Sequence, residues 1–142
     1  MSSEARDRAM IAPNPIHISK ISVHEDDIDH LGHVNNAVYL RWVQHVVVEH
    51  WERFAPTDAV RAHLWVSLKH EITYRRPAFI HDGIVAESIA ERIHGCRAFF
   101  RTLIKRGDEI LVEVKSNWCC IDAVTHKPVR LTHDVASIFF YK

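Results

Sequence analysis

The chain has 142 residues, of which 47% are hydrophobic and 25% charged, proportions typical of one globular domain with a well-filled core. Lys+Arg and Asp+Glu are balanced at 18 each, which excludes the strongly basic surface of a general nucleic-acid-binding or anionic-membrane-binding protein. No apolar segment approaches the roughly 18 residues of a membrane span, and we expect no signal peptide.

One domain is predicted over residues 15–142, preceded by a flexible N-terminal extension of residues 1–14. The three cysteines, Cys96, Cys119 and Cys120, are an odd number and two are adjacent, so they do not indicate a disulfide framework. Reduced thiols in the cytoplasm are the simplest interpretation. If Cys119 and Cys120 lie in a strand, their side chains point to opposite faces of the sheet.

The first predicted strand, residues 16–24, precedes a polar loop and then a long helix. The helix is predicted from about Asn36 or Ala37 to Phe54, with Asn35 or Asn36 as its N-cap, and Pro56 follows its end. Apolar positions cover most of its circumference, so we expect it to be largely buried.

From Leu64 onward the pattern changes to alternating apolar and polar residues, which predicts strands. Three further strands are predicted at residues 84–93, 96–105 and 109–123, with a tight turn at Arg106-Gly107-Asp108. The segment ASIFFY near the C-terminus fits either a short strand or a helix. The predicted fold is therefore α+β, with one antiparallel sheet curved around one dominant helix. Such a sheet has edges to cover, so self-association is expected.

The loop DDIDHLGHVNN, residues 26–36, holds the most concentrated set of polar side chains in the chain. Asp29 lies just before the helix, whose first N–H groups have no partners within the helix and carry a partial positive charge. A carboxylate there is positioned to act as a base or nucleophile. The N–H groups near Asn35 and Asn36 are positioned to stabilise a carbonyl oxygen that gains negative charge, which suits acyl transfer.

Other interpretations of this loop remain open. Asp29 is also a common turn residue, and Asp26 and Asp27 are expected to be turn or surface residues. His30 and His33 are spaced HxxH, but a catalytic zinc site needs three ligands of defined geometry, so no metal is predicted. We expect His33 to bond the loop backbone and Gly32 to allow either a positive φ or a close approach of the backbone. The cysteines are interpreted as buried apolar residues rather than nucleophiles.

The pattern DxDxxGHVNNxxYL, followed by YRRPA at residues 74–78 and HDG at 81–83, resembles the acyl-CoA thioesterases of the 4-hydroxybenzoyl-CoA thioesterase type. The segment DAVTHKPV, residues 122–129, resembles a late turn of the same family. The resemblance spans about residues 16–132 and implies a hot-dog fold, in which a curved antiparallel sheet surrounds a central helix. It also implies thioester hydrolysis without a metal or cofactor, with the CoA thioester as substrate.

By position in this motif, Asp29 is the implied catalytic carboxylate, and the backbone N–H of Asn36 is the implied donor to the thioester carbonyl. His33 and Asn35, with Gly32, would order the loop. The resemblance implies a homodimer or homotetramer with sites between subunits, Tyr39 against the acyl group, and arginines near the CoA phosphates. Arg97 stands where many relatives have serine, and it is the arginine that we predict to bind substrate.

Two other functions are also compatible with the sequence. One is a hot-dog dehydratase, although the proline-rich loop that follows the catalytic histidine in that class is absent from this sequence. The other is an acyl-CoA-binding hot-dog protein without catalysis. Two further departures, Gln44 and His45 where many relatives have glutamate, concern the acyl pocket and leave Asp29 unchanged.

Overall fold

The structure is a computed structural model that describes residues 15–140. A five-stranded sheet has the order β1-β3-β4-β5-β2, and every neighbouring pair of strands is antiparallel. The strands are β1 (Ile16–Ile21), β2 (His63–Tyr74), β3 (Ile84–His94), β4 (Arg97–Arg106) and β5 (Glu109–Asp122). The α+β prediction is confirmed, with strand bounds close to those expected except at β1, which ends three residues early. The predicted flexible extension, residues 1–14, lies outside the described residues.

The long helix, α1, spans Asn36–Phe54. Asn35 is its N-cap, because the Asn35 side chain accepts a hydrogen bond from Ala37 N at 3.0 Å. At the other end, Ala55 N donates to Trp51 O at 2.9 Å, and Pro56 cannot continue the helix. The sequence left two residues open as the cap, and the structure uses Asn35.

The expectation that α1 is buried around most of its circumference is wrong. One side is buried, and the opposite side is exposed along its length, with Val48 36% exposed. The buried residues are Tyr39, Trp42, Val43, Val46, Val47, His50 and Trp51. The reason is geometric, because a sheet of one layer contacts a helix from one side even when it curves.

The edge strand β2 carries three exposed apolar side chains, Leu64, Val66 and Leu68, which are 46%, 44% and 50% exposed. In the same part of the strand Trp65 faces α1, where its ring lies 5.5 Å from that of Trp51. The pairing with β5 shifts between Ser67 and Lys69, so one extra residue is inserted and Ile72 faces the core. Alternation in the sequence thus predicted the strand but could not reveal this bulge.

Two short α-helices complete the fold of residues 15–140. The helix α2, Thr57–Ala62, was not predicted, and it turns the chain from α1 into β2 with Ala59 buried. The C-terminal segment, which by sequence fits either a short strand or a helix, is mostly helical and belongs to α3, His133–Phe139. Thr132 caps α3, and the buried Phe139 ring lies 5.4 Å from the ring of Trp51. The core is therefore continuous between α1, α3 and the concave face of the sheet.

Candidate active site

The polar loop between β1 and α1 is closed into a compact hairpin. Ile28 and Val34 form an antiparallel bridge, and Asp29 N donates to His33 O at 2.9 Å inside it. Gly32 N donates to Asp29 O at 3.0 Å, and Gly32 has a φ of +86°. Of the two possibilities expected at Gly32, the positive φ is present, and it lets the chain reverse within the bridge.

Asp27 anchors this hairpin and was misinterpreted from the sequence as a turn or surface residue. Its side chain is buried, and it accepts a hydrogen bond from His24 N at 2.9 Å and from Arg41 Nη2 at 2.6 Å. Its carbonyl accepts from Asn35 N at 2.8 Å. Burial acts to raise the pKa of Asp27, but the His24 N–H and the Arg41 guanidinium outweigh it and hold the pKa below its usual value. One sequence signal pointed to this role, the first Asp of the DxD pattern.

The Asp29 carboxylate is held in one orientation by the loop itself. Its Oδ1 accepts a hydrogen bond from Leu31 N at 2.9 Å and lies 3.9 Å from His33 Nδ1. The Asp29 side chain is 16% exposed, so it is partly shielded but open to solvent. His33 Nδ1 also lies 3.3 Å from Val34 O, and the imidazole therefore stands between the carboxylate and the backbone of the loop.

A cleft of about 180 Å³ opens beside the N-terminus of α1. Its lining residues are His33, Asn36, Tyr39, Tyr74, Arg75, Arg76 and Pro77. The N–H of Asn36, the first residue of α1, has no hydrogen-bond acceptor among residues 15–140, while its carbonyl accepts from Tyr74 Oη at 3.1 Å. A free N–H at the positive end of a 19-residue helix is a donor that needs no rearrangement to meet an anionic oxygen.

The wall of the cleft is fixed to the core through Tyr39. This residue is 1% exposed, and its hydroxyl accepts a hydrogen bond from Ala78 N at 3.1 Å. Burial raises the pKa of Tyr39, with the Ala78 N–H acting against it, so the hydroxyl stays protonated at neutral pH. Ala78 O accepts from Val34 N at 2.8 Å, so residue 78 holds the loop and the helix together.

Arg97 is not brought to this cleft within one chain. It begins β4, whereas Arg106, at the other end of that strand, bonds Pro77 O and Asp82 beside the candidate site. A strand of 10 residues is about 30 Å long. Arg97 instead lines a second cleft, of about 360 Å³, with His94, Gly95, Cys96, Pro128, Val129 and Arg130.

Within residues 15–140, the histidines of the HxxH spacing, His30 and His33, are not part of a group of three possible metal ligands. His30 is exposed, and within residues 15–140 no group of three His, Cys, Asp or Glu side chains is close enough to hold one metal ion. Over the same residues no helix combines the length and apolar character that a membrane crossing requires.

Residues 23–139 match the model of the thioesterase-like superfamily. The chain is 27% identical to the long-chain acyl-CoA thioesterase FadM of Escherichia coli K12 over 120 residues, which cover 80% of this chain and 89% of FadM. Among solved structures, a thioesterase from Thermus thermophilus complexed with coenzyme A and Zn has a TM-score of 0.75 at 19% identity, covering 87% and 90% of the two chains. A 1,4-dihydroxy-2-naphthoyl-CoA thioesterase from Synechocystis has a TM-score of 0.71 at 16% identity, covering 88% and 96%.

A single curved antiparallel sheet on one long helix, with a polar loop at the tip of that helix, defines a hot-dog protein. The chain belongs to the thioesterase-like superfamily, and the family predicted from its motifs is confirmed. The predicted enzyme class, thioester hydrolase, is confirmed as well.

Proposed function

We propose that the protein hydrolyses an acyl-CoA thioester to a free acid and CoA. The observation that carries this proposal is that a solvent-accessible carboxylate, Asp29, lies in the loop that leads into a helix N-terminus whose first residue, Asn36, has a free N–H and lines an open cleft. Hydrolysis needs a group that activates water or attacks the carbonyl, and a donor for the oxygen that becomes negative. The similarity to FadM supports an acyl-CoA as the substrate.

In this mechanism the thioester carbonyl oxygen accepts a hydrogen bond from Asn36 N. Asp29 either takes a proton from the water that attacks the carbonyl carbon, or attacks that carbon itself to form a mixed anhydride that water then opens. In both routes the C–S bond breaks, the thiolate leaves and receives a proton, and one water is consumed. In single-turnover hydrolysis with isotope-labelled water, label in the Asp29 side chain would identify direct attack with water opening the anhydride at the Asp29 carbonyl, since the general-base route places label only in the product acid.

Gly32, His33 and Asn35 would serve the reaction by ordering the loop, and Tyr39 by forming the wall of the acyl site. Gly32 provides the chain reversal, Asn35 caps the helix, and His33 stands 3.9 Å from the Asp29 carboxylate. The Tyr39 hydroxyl accepts a hydrogen bond from Ala78 N, which would fix the side chain in the wall of the cleft.

We further propose that the protein is a homo-oligomer in which β2 strands of two subunits pair. The outer edge of β2 has no strand partner among residues 15–140, and it carries the exposed Leu64, Val66 and Leu68. Two such strands related by a two-fold axis run in opposite directions, so the Tyr74 end of one lies beside the His63 end of the other. Light scattering should therefore give a multiple of the chain mass.

This arrangement supports a role for Arg97 in binding CoA phosphates across the interface. Arg97 pairs in register with Cys119, which pairs with Val66, so Arg97 lies at the level of the His63 half of β2. Arg97 and Arg130 both line the second cleft, and neither side chain has an ion-pair or hydrogen-bond partner among residues 15–140. By contrast, Arg41, Arg75, Arg76, Arg101 and Arg106 are all paired with carboxylates.

The experiment measures hydrolysis of a panel of acyl-CoAs through the free thiol that is released. The native protein is compared with the variants Asp29→Asn and Asp26→Asn. Asp29→Asn should lose at least about a hundredfold in kcat, whereas Asp26→Asn, a change at an exposed residue of the same loop, should stay near native. Full activity in Asp29→Asn would reject this mechanism. Binding of CoA without hydrolysis of any thioester would favour the non-catalytic alternative.

The role of Arg97 has its own test. Arg97→Gln should raise KM for an acyl-CoA severalfold but leave KM unchanged for the same acyl group on N-acetylcysteamine, which has no phosphates. Arg61→Gln is the control, because Arg61 is exposed on α2 and does not line the second cleft. An equal rise in KM for both substrates would remove Arg97 from phosphate binding.

A further inference from the structure

Two of the three cysteines, Cys96 and Cys119, lie with their sulfur atoms 3.8 Å apart. Cys96 stands in the turn between β3 and β4, and Cys119 is near the end of β5. Both thiols are free and partly accessible, and Cys96 lines the second cleft. The mechanism proposed for Asp29 makes no use of either thiol.

A backbone hydrogen bond holds the two segments that carry this pair together. Cys96 O accepts a hydrogen bond from Cys120 N at 2.8 Å, so the turn is tied to β5 one residue beyond Cys119. A disulfide has an S–S distance of about 2.0 Å. The sulfur atoms must therefore approach by roughly 2 Å, a distance that side-chain rotation at a two-residue turn can supply.

Cys120 provides an internal contrast. It is fully buried on the opposite face of β5, and burial, with the two neighbouring thiols adding to it, raises the pKa of its thiol to about 12. Burial, followed by the Cys96 thiol, also raises the pKa of Cys119, and Arg97 acts against this rise. The thiolate is the reactive form of cysteine. Cys120 is therefore protected both by its burial and by the raised pKa of its thiol.

We propose that Cys96 and Cys119 form a redox-modification site that takes up a peroxide and closes to an intrachain disulfide. One thiolate attacks a peroxide oxygen, which releases water and leaves a sulfenic acid. The second thiol attacks that sulfur, forms the S–S bond and releases a second water. Each sulfur loses one electron, hydrogen peroxide takes up both, and the two thiol protons leave in the two waters.

The bond would join the β3–β4 turn covalently to β5, next to Arg97 and Arg130 in the second cleft. It closes a loop in the unfolded chain that contains β4 and most of β5, which restricts the unfolded ensemble. The oxidised protein should therefore melt at a higher temperature than the reduced protein, and a reductant should reverse the difference. A lower melting temperature would show that the bond does not fit the native fold and would overturn the proposal.

The test is treatment of the reduced, full-length protein with hydrogen peroxide, followed by removal of the oxidant, denaturation and titration of free thiols. The native chain should fall from three free thiols to one, and non-reducing peptide mapping should find Cys96 joined to Cys119 within one chain. The Cys120→Ala variant should fall from two to none. Cys96→Ser and Cys119→Ser should each give no intrachain disulfide.

Several results would overturn the proposal. These are three thiols that persist in the folded protein, a disulfide that includes Cys120, or a bond that joins two chains. Formation of the same amount of intrachain disulfide in Cys96→Ser would do so as well. None of these readouts uses thioesterase activity, so the outcome is independent of the function proposed for the Asp29 site.

Discussion

The hydroxyl of Tyr39 accepts a hydrogen bond from the backbone N–H of Ala78, at 3.1 Å, in the buried interior. This bond joins the first turn of α1 to the segment between β2 and β3. Because Ala78 O in turn accepts from Val34 N, one residue aligns the loop, the helix tip and the wall of the candidate cleft. Ala78 thus connects the helix, through the Tyr39 hydroxyl, with the loop, through Val34.

The first prediction concerns that hydroxyl. Tyr39→Phe should lower the free energy of unfolding by roughly 1–3 kcal/mol, because Ala78 N is left buried without an acceptor. Urea denaturation measures the change. Tyr74→Phe is the matched control, since the Tyr74 hydroxyl bonds Asn36 O in an exposed position, where water replaces it. If the two variants lose the same stability, burial of the Tyr39–Ala78 bond does not matter.

The second prediction concerns Gly32. No heavy atom lies within 4 Å of a Cβ added there, so the φ of +86° alone makes substitution unfavourable. Gly32→Ala should cost about 1 kcal/mol in the free energy of unfolding, and Gly32→Asn less, because Asn tolerates positive φ better.

Gly83→Ala serves as the control for Gly32, because Gly83 is equally uncrowded and does not have a positive φ. It should be neutral or slightly stabilising. Thermal melts of the three variants give the comparison. A Gly32→Ala protein as stable as Gly83→Ala would mean that the loop adopts another conformation.

The third prediction concerns pH and the buried His50. Burial, with a smaller effect from His17, lowers the pKa of His50 to about 4 from its usual 6.5, and His50 Nδ1 lies 2.9 Å from Ser88 Oγ. The unfolded chain takes up this proton more readily than the folded chain, so stability must fall as pH decreases from 6.5 towards 4. A shift of this size corresponds to about 3 kcal/mol across the window.

Urea denaturation at several pH values, with His50→Gln beside the native protein, tests this dependence. His50→Gln should have a flatter profile between pH 6.5 and 4, although its stability at neutral pH will be lower. His81→Gln, at an exposed position, should keep the native slope. A native slope in His50→Gln would assign the pH dependence to another group.

The fourth prediction concerns the anchor of the loop, Asp27. Its pKa is held below the usual 3.8, so its contribution to stability is complete above that pH and is lost as the pH falls below it. Asp27→Asn should lower the free energy of unfolding by roughly 1–3 kcal/mol at neutral pH. The difference from the native protein should shrink at pH values below 3.8. A difference that is constant with pH would show that the loss comes from packing and not from charge.

Local patterns in the sequence were enough to predict the elements and the family. Alternation and turn residues predicted five strands near their observed bounds, and Asn35 with the apolar residues after it predicted the long helix. These features are local, because side-chain period, capping and turn chemistry act over a few residues. The motif around Asp29 and Asn36 was visible for the same reason, since all of its residues lie in one short segment.

Contacts between distant parts of the chain became visible only in the folded structure. The carboxylate of Asp27 is buried against Arg41, the bulge in β2 turns Ile72 towards the core, and Cys96 meets Cys119. These contacts depend on strand register or on the packing of α1 against one side of the sheet, and local spacing encodes neither. Arg97 shows the same limit, because each end of β4 has an arginine but the two ends lie about 30 Å apart.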